Sequence, residues 1–500
     1  MVQLAARAFQ NLADTSALPT LLLASGGDKR IWLDAATGRN RYGTLTRPAE
    51  REISFSSSTA SSPSLSAFAA ASGALSRLID PSTPSSVSED EWFDEIHRSL
   101  AGAIGYGDAC AILASSGTDA ELLGLGIVSA LSSRPLTNVF VAPDETGNGV
   151  PQAAAGRHFS DITALGASVV PGGEISGLES GRIEACAVAI RDEEGRQRAQ
   201  ADIDADMIAT VERELKKGRD VIVHVLDTSK TGLSGVTRAA AKFAAALAPG
   251  RVRVIVDACQ LRGRIQDLRD DLASGFIVLV TVSKFFGAPP FAGALVLPAD
   301  VATELAEAKL PAGLFDYTAA QDWSQSLRGK LDFEFSTEMN IGLGLRWRAG
   351  LANLERYVDI PAATADELKN QFVDAIKNRA GRHRGFFIHE DDDGQHLRSR
   401  GIVSLSVDAE EHIAMARAKL IQTRMRSEPG VICHVGQPVK VAKRAVLRVA
   451  LSAAHVISFA ECLSRGQWRS EAMAPLIADL DILFDKWECI HHELALSDTA

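Results

Sequence analysis

Val254-Ile255-Val256-Asp257-Ala258-Cys259-Gln260 and Val278-Leu279-Val280-Thr281-Val282-Ser283-Lys284-Phe285-Phe286-Gly287 are the two stretches that decide how this chain folds. Their polar ends, Asp257 and Lys284, lie 27 positions apart (284 − 257). Each stretch is an apolar run that stops abruptly in polar residues. A parallel strand buried on both faces reads this way where it emerges at its carboxyl end. In open α/β sheets, ligands bind beyond those ends. One strand tip then carries a carboxylate and an amide, and the other a lysine facing the same space.

Between about residues 100 and 300, apolar runs alternate with helical patterns. The runs Asn138–Ala142, Cys186–Ile190, Val221–Leu226, Val252–Val256, Phe276–Val282 and Ala294–Leu297 predict strands. Asp119–Leu131, Asp206–Lys217 and Thr237–Leu247 predict helices. Such alternation makes βαβ units and a mostly parallel sheet. A long helical pattern over Ile341–Tyr357 then opens a region of mixed helices and short strands, the pattern of a smaller α+β domain. The expected layout is an N-terminal arm (1–60), a large domain (61–340) and a small domain (341–500). Residues 1–20 predict a helix, Ile31–Gly38 a short strand and turn, and Glu471–Leu496 an amphipathic helix. The serine-rich 54–64 is either a linker or a loop lining a polar substrate site, with Ser58 at its centre.

Five hundred residues, 46% hydrophobic and 23% charged, can bury a large core. The net charge of −11 argues against a nucleic-acid partner. The short basic stretches Arg262-Gly263-Arg264 and Arg382-His383-Arg384 read as solvated loops. The six cysteines form no CxxC pair and no disulfide framework, which predicts a reducing, cytoplasmic setting. No apolar run reaches the ~18–20 residues of a membrane span. Cys489-Ile490-His491-His492 has metal-ligand residue types but no second cluster, so no metal is expected.

Ala114-Ser115-Ser116-Gly117-Thr118-Asp119 follows an apolar run and opens a helix. Small residues there let the backbone approach a ligand, and free N–H groups at a helix start bind phosphate. A plain capping box, with Ser116 or Thr118 as N-cap and Glu121 three residues after Thr118, is the alternative. Read together with the two strand tips, the turn predicts pyridoxal 5′-phosphate (PLP). Lys284 would form a Schiff base and shuttle protons at a substrate's alpha carbon. Asp257 would keep the pyridine nitrogen protonated, unless it is a salt-bridged structural acid. Gln260 could donate to the ring's phenolate oxygen, and Thr281 and Ser283 could reach the phosphate.

These residues resemble the PLP-dependent fold-type I superfamily, in particular its class V aminotransferase and cysteine desulfurase branch. The branch motifs appear here as Asp257-Ala258-Cys259-Gln260 and Thr281-Val282-Ser283-Lys284 with Gly287. Ser116-Gly117-Thr118 stands where the family places its phosphate-binding turn. The resemblance spans roughly residues 30–460. It implies a large domain with a seven-stranded sheet of the aspartate aminotransferase type and a smaller C-terminal domain. By the same likeness, Thr337 in Phe335-Ser336-Thr337-Glu338-Met339-Asn340 reaches the partner subunit's phosphate in a homodimer. Its alternative is a helix cap. Arg448 in Leu447-Arg448-Val449 binds the substrate carboxylate, and Asp227, Thr228 or Ser229 touches the phenolate side of the ring.

Two departures stand out. Ser283 replaces the histidine that many relatives place before the lysine. The loop Asp144-Glu145-Thr146-Gly147-Asn148-Gly149-Val150 has no aromatic, which leaves Thr146 or Glu145 to cover the ring. His158, nearby, reads as structural. Cys433, between Lys284 and Arg448, reads as a buried strand residue rather than a persulfide carrier. The expected activity is that of an aminotransferase acting on an amino acid or amine. A lyase that breaks a C–S or C–C bond is the close alternative, and a non-catalytic binding module the remote one.

Overall fold

The computed structural model describes residues 17–498, apart from 81, 83–84, 105–109, 142–143, 383–385, 390–397, 399 and 408–409. The predicted helix over residues 1–20 lies mostly outside the described residues; Leu18–Leu22 is helical.

The main sheet has seven strands: β2 (Cys110–Ala114), β3 (Leu136–Val141), β4 (Ile183–Val188), β5 (Asp220–Leu226), β6 (Val252–Ala258), β7 (Ile277–Thr281) and β8 (Gly293–Leu297). Their spatial order is β2-β8-β7-β6-β5-β3-β4. β8 runs antiparallel to both β2 and β7, and all other pairs are parallel. This is the mostly parallel α/β sheet the alternating pattern predicts. The central strands are buried on both faces, because helices cover each side.

Helix Gly117–Leu131 runs over the middle of the sheet and is buried along nearly its whole length. Two glycines permit that closeness. A Cβ on Gly117 would meet Cys259 Sγ at 3.0 Å, and one on Gly124 would meet Ile255 Cδ1 at 3.2 Å. The amino end of the helix is therefore pressed against the carboxyl ends of β6 and β7.

The second sheet is five-stranded, in the order β1 (Glu52–Phe55), β11 (Ile432–Val441), β12 (Arg444–Ala450), β10 (Ile402–Val407), β9 (Phe386–Ile388). β1 pairs parallel with β11, so residues near the chain start belong to the sheet built by its end. Ser54–Ser64 is accordingly no linker: Ser56, Ser57 and Ser58 are buried, and Ser57 Oγ donates to the carbonyl of Ala450 at 3.2 Å. The long helix Ile341–Val358 and helix Arg469–Asp498 form where the sequence predicts them.

Two readings need correction. The predicted strand at Ile31 is a 3-10 turn, Lys29–Ile31, because the Asp28 side chain accepts the Arg30 N–H at 2.9 Å. Arg262 is 1% exposed rather than solvated. Its guanidinium donates to Leu451 O (2.8 Å), Ser57 Oγ (2.7 Å) and Gln260 Oε1 (3.2 Å), and it lies 5.0 Å from the Phe285 ring centroid. Paired donors and a ring face make that burial tolerable.

Candidate active site

Asp257 sits in the last turn of the pleat of β6, half-buried. Its Oδ1 accepts the Cys259 N–H at 3.0 Å. Among the described residues, no lysine or arginine lies within ion-pair distance of it. The salt-bridged structural acid that a buried carboxylate usually becomes is not found here. Lys284 lies three residues past β7, also half-buried and also without an ion pair among the described residues. Its loop is stiff: Val282 N–H donates to Ala292 O at 3.0 Å, and Ala288 N–H to Val282 O at 3.1 Å. Phe285 and Phe286 beside it are buried, edge to face at 5.2 Å. The site thus holds one carboxyl group and one amine on adjacent strand ends, each without an ion pair among the described residues.

Ser116 is the N-cap of helix Gly117–Leu131, and its Oγ accepts the Asp119 N–H at 3.2 Å. Burial pushes the Asp119 carboxyl up to about 6. Thr118 lies 3.1 Å, by its Cγ2, from where a Cβ on Gly149 would stand. Thr281 Oγ1 donates to Cys259 O at 2.6 Å, which ties the tips of β6 and β7 together. Ser283 is buried next to Lys284.

In the loop after β3, the two candidate ring-covering residues part ways. Glu145 is turned aside, accepting from Arg191 Nε at 2.5 Å and from Thr231 Oγ1 at 2.9 Å. Thr146 Oγ1 is buried with no hydrogen-bond partner among the described residues. Ser229 Oγ accepts the Leu233 N–H at 3.0 Å and shapes the loop after β5. Asp227 in that loop pairs with Arg238 and Arg400, each at 3.2 Å.

The second sheet closes the site from the other side. Gln260 Nε2 donates to Ser58 O at 3.0 Å, so β6 and the serine turn meet directly. Ser58 Oγ is buried without a partner, 2.6 Å from where a Cβ on Gly436 would stand. Arg448, on β12, is 3% exposed. It donates to Gln437 O (2.7 Å), Lys230 O (3.1 Å) and Thr59 Oγ1 (2.9 Å). Burial lowers its pKa to about 10. Most of its donors are therefore already spent on the protein. Lys230, half-buried nearby, is lowered to about 8, first by burial and then by Arg448.

Thr337 is exposed and stands apart from this cluster, and the cap of the long helix is Asn340, whose side chain accepts the Leu343 N–H at 3.0 Å. His158 is structural in its contacts: Nδ1 lies 2.6 Å from the Tyr317 hydroxyl, and the rings stack. Cys433 and Cys259 are buried packing residues. Among the described residues, no cluster of histidine, cysteine and acids could hold a metal ion.

The sequence offers Glu121 as a capping-box acid, but the N-cap is Ser116, bonded to the Asp119 N–H, and Glu121 lies among polar residues under the sheet's covering helix that the pattern does not single out. Glu121 is 3% exposed, with Oε1 3.1 Å from Asn138 Nδ2 and 3.3 Å from His224 Nε2. His224 interrupts the apolar run Val221–Leu226, which was the available signal.

A half-buried carboxylate and lysine on neighbouring parallel strands, under a helix start and between two sheets, define a ligand site at the carboxyl edge of an α/β sheet. The fold matches that of fold-type I PLP-dependent enzymes. Mouse CSAD (cysteine sulfinic acid decarboxylase) shares 15% identity over 88% of this chain and 83% of that chain, with a TM-score of 0.54. Its apo form covers 89% and 85%, with a TM-score of 0.55. A lysine-to-alanine variant of serine palmitoyltransferase from S. paucimobilis, with a bound PLP–myriocin aldimine, is more distant, at 12% identity, 86% and 84% coverage and a TM-score of 0.49. No protein-family model matches the chain, and no curated protein matches its sequence.

Proposed function

We propose that this protein is a PLP-dependent enzyme acting on an amino acid or amine, with amino-group transfer as its leading reaction. The observation that carries the proposal is the pair Asp257 and Lys284. Two charged groups at adjacent strand ends, left without ion-pair partners among the described residues, suit a ligand that brings both a cationic ring nitrogen and a carbonyl. The buried, unpartnered Ser58 Oγ and Thr146 Oγ1 fit a polar group between them. The crowding around Gly117 leaves backbone rather than side chain at the helix start.

PLP, when bound, supplies a ring that draws electrons from the carbon attached to its imine. The chain's own residues would do the rest. The Lys284 amine anchors the ligand and then moves the proton at the substrate's alpha carbon. Asp257 holds a proton at the ring nitrogen. The N–H groups at Ser116, Gly117 and Thr118, with Ser283, would bind the phosphate, and Thr281, whose hydroxyl donates to Cys259 O, would join them by turning that hydroxyl. Thr146 covers the ring where relatives use an aromatic. Gln260 keeps one amide hydrogen for the phenolate side, and Ser229 shapes that side. Arg448 retains one free guanidinium hydrogen for a substrate carboxylate, beside Ser58. Thr337 would act across a homodimer.

A second reading, a lyase or decarboxylase, takes its support from the fold shared with mouse CSAD. No described helix is long and apolar enough to cross a membrane, and a small-molecule substrate in a cytoplasmic setting is part of the proposal. The experiment is a screen of the purified protein with PLP against amino acids. Recovery of pyridoxamine phosphate and a keto acid supports transfer. Release of carbon dioxide or a sulfur product, with PLP retained, favours the second reading. Failure to bind PLP overturns both.

A further inference from the structure

A diagonal of polar side chains crosses the main sheet on the face covered by helix Gly117–Leu131. Asn138 on β3 pairs with Ile222 on β5, and His224 stands two residues further along β5. His224 pairs with Ile255 on β6, and Asp257 stands two residues further along β6. Residues two apart share a face of a strand, so the line steps from Asn138 through His224 to Asp257. Glu121, in the second turn of the helix, drops into it. One carboxyl oxygen accepts from Asn138 Nδ2 (3.1 Å) and lies 3.3 Å from His224 Nε2, which makes no hydrogen bond among the described residues. Asn138 is locked by a second bond, to Ala154 O at 3.2 Å.

The surroundings decide the charges. Glu121 and His224 are each about 4% exposed at the side chain. Burial pushes the Glu121 carboxyl up to about 8, with the negative charge of Asp257 acting in the same direction. Burial also lowers the His224 imidazole to about 4. The other ionisable groups whose fields meet here are Asp257, Cys259, which burial holds as a thiol, and Lys284.

We propose that Glu121 and His224 are positioning residues for Asp257: a buried acid–imidazole pair, its acid clamped by Asn138, that backs Asp257 from the neighbouring strand on the same face of the sheet. The inference rests on the PLP reading given above. Glu121 acts here by shape and hydrogen bonding, not by charge.

The test compares wild type with Glu121→Gln, Glu121→Ala and His224→Ala, each with PLP. The readouts are Kd for PLP and the pH midpoint of the bound cofactor's visible absorbance, with thermal melting as a check on folding. Glu121→Gln, which keeps a neutral side chain of the same shape, should stay within about threefold of the wild-type Kd, at the unchanged midpoint. Glu121→Ala and His224→Ala should weaken binding about tenfold, as coupled neighbours do, and move the midpoint. The inference fails if Glu121→Gln behaves like Glu121→Ala, because a charge was then needed. It also fails if all three variants match wild type. A wild type that does not bind PLP overturns the cofactor reading itself, a result distinct from either.

Discussion

Glu121→Gln should make the cofactor-free protein more resistant to alkaline pH. The Glu121 carboxyl is 3% exposed, and no arginine or lysine is within ion-pair distance of it among the described residues. Burial raises its pKa from the ordinary 4.5 to about 8. The folded protein therefore holds this proton more tightly than the unfolded chain does. Its contribution to stability is complete below pH 4.5 and is lost progressively as the pH rises toward 8. At ~1.4 kcal/mol per pH unit, the gap sets an upper bound of about 5 kcal/mol. Relaxation around buried groups brings the realistic figure to roughly 2–4 kcal/mol. Glutamine has no proton to lose, and its amide oxygen can still accept from Asn138. Asp119 and Asp322, raised by burial to about 6 and about 7, titrate in both proteins and cancel in the comparison. The assay is urea unfolding of both proteins at pH 5, 7 and 9. The glutamine variant should gain on wild type by roughly 2–4 kcal/mol between pH 5 and 9. Parallel curves, or a wild type that gains as the pH rises, would show that Glu121 is ionised in the folded protein and would refute the charge assignment.

Other perturbations probe the site and its frame. Lys284→Ala should abolish the visible absorbance of bound PLP and lower turnover by about 10²–10⁴-fold or more; unchanged absorbance sinks the lysine assignment. Asp257→Asn should weaken PLP binding by about 2 kcal/mol or more, measured by fluorescence titration, since one partner of a partly buried charge pair is gone. Gly117→Ala places a Cβ 3.0 Å from Cys259 Sγ, so it should raise Kd for PLP, and adding Cys259→Ala should recover part of the loss; equal Kd in the single and double variants counts against the crowding. Arg262→Ala strands Leu451 O, Ser57 Oγ and Gln260 Oε1, and should cost about 3 kcal/mol or more in urea unfolding; a loss under ~1 kcal/mol would mean water replaces the guanidinium.

The sequence by itself determined the strands and the order of the chemistry along them. Runs such as Val252–Val256 and Phe276–Val282 can only be buried strands, and a polar residue ending such a run must face the carboxyl edge of the sheet. Asp257, Lys284 and the Ser116 turn were legible for that reason, each being local to one strand or helix start. What needed the tertiary structure was whatever joins segments far apart in the chain. Periodicity says nothing of partners, so the pairing of β1 with β11, which brings Ser58 to Gln260 across 202 positions, left no mark in the sequence. Arg262 looked solvated because its acceptors come from residues 57, 260 and 451. Glu145 and Thr146 are adjacent in the chain, and only the position of Arg191 decides that Glu145 is bound in an ion pair, while Thr146 Oγ1 has no hydrogen-bond partner among the described residues. A helix face and three strands had to close over Glu121 and His224 before their burial, and hence their charge, was set. Hydrogen-bond satisfaction and desolvation depend on the whole fold, while strand burial is written in the local run of residues.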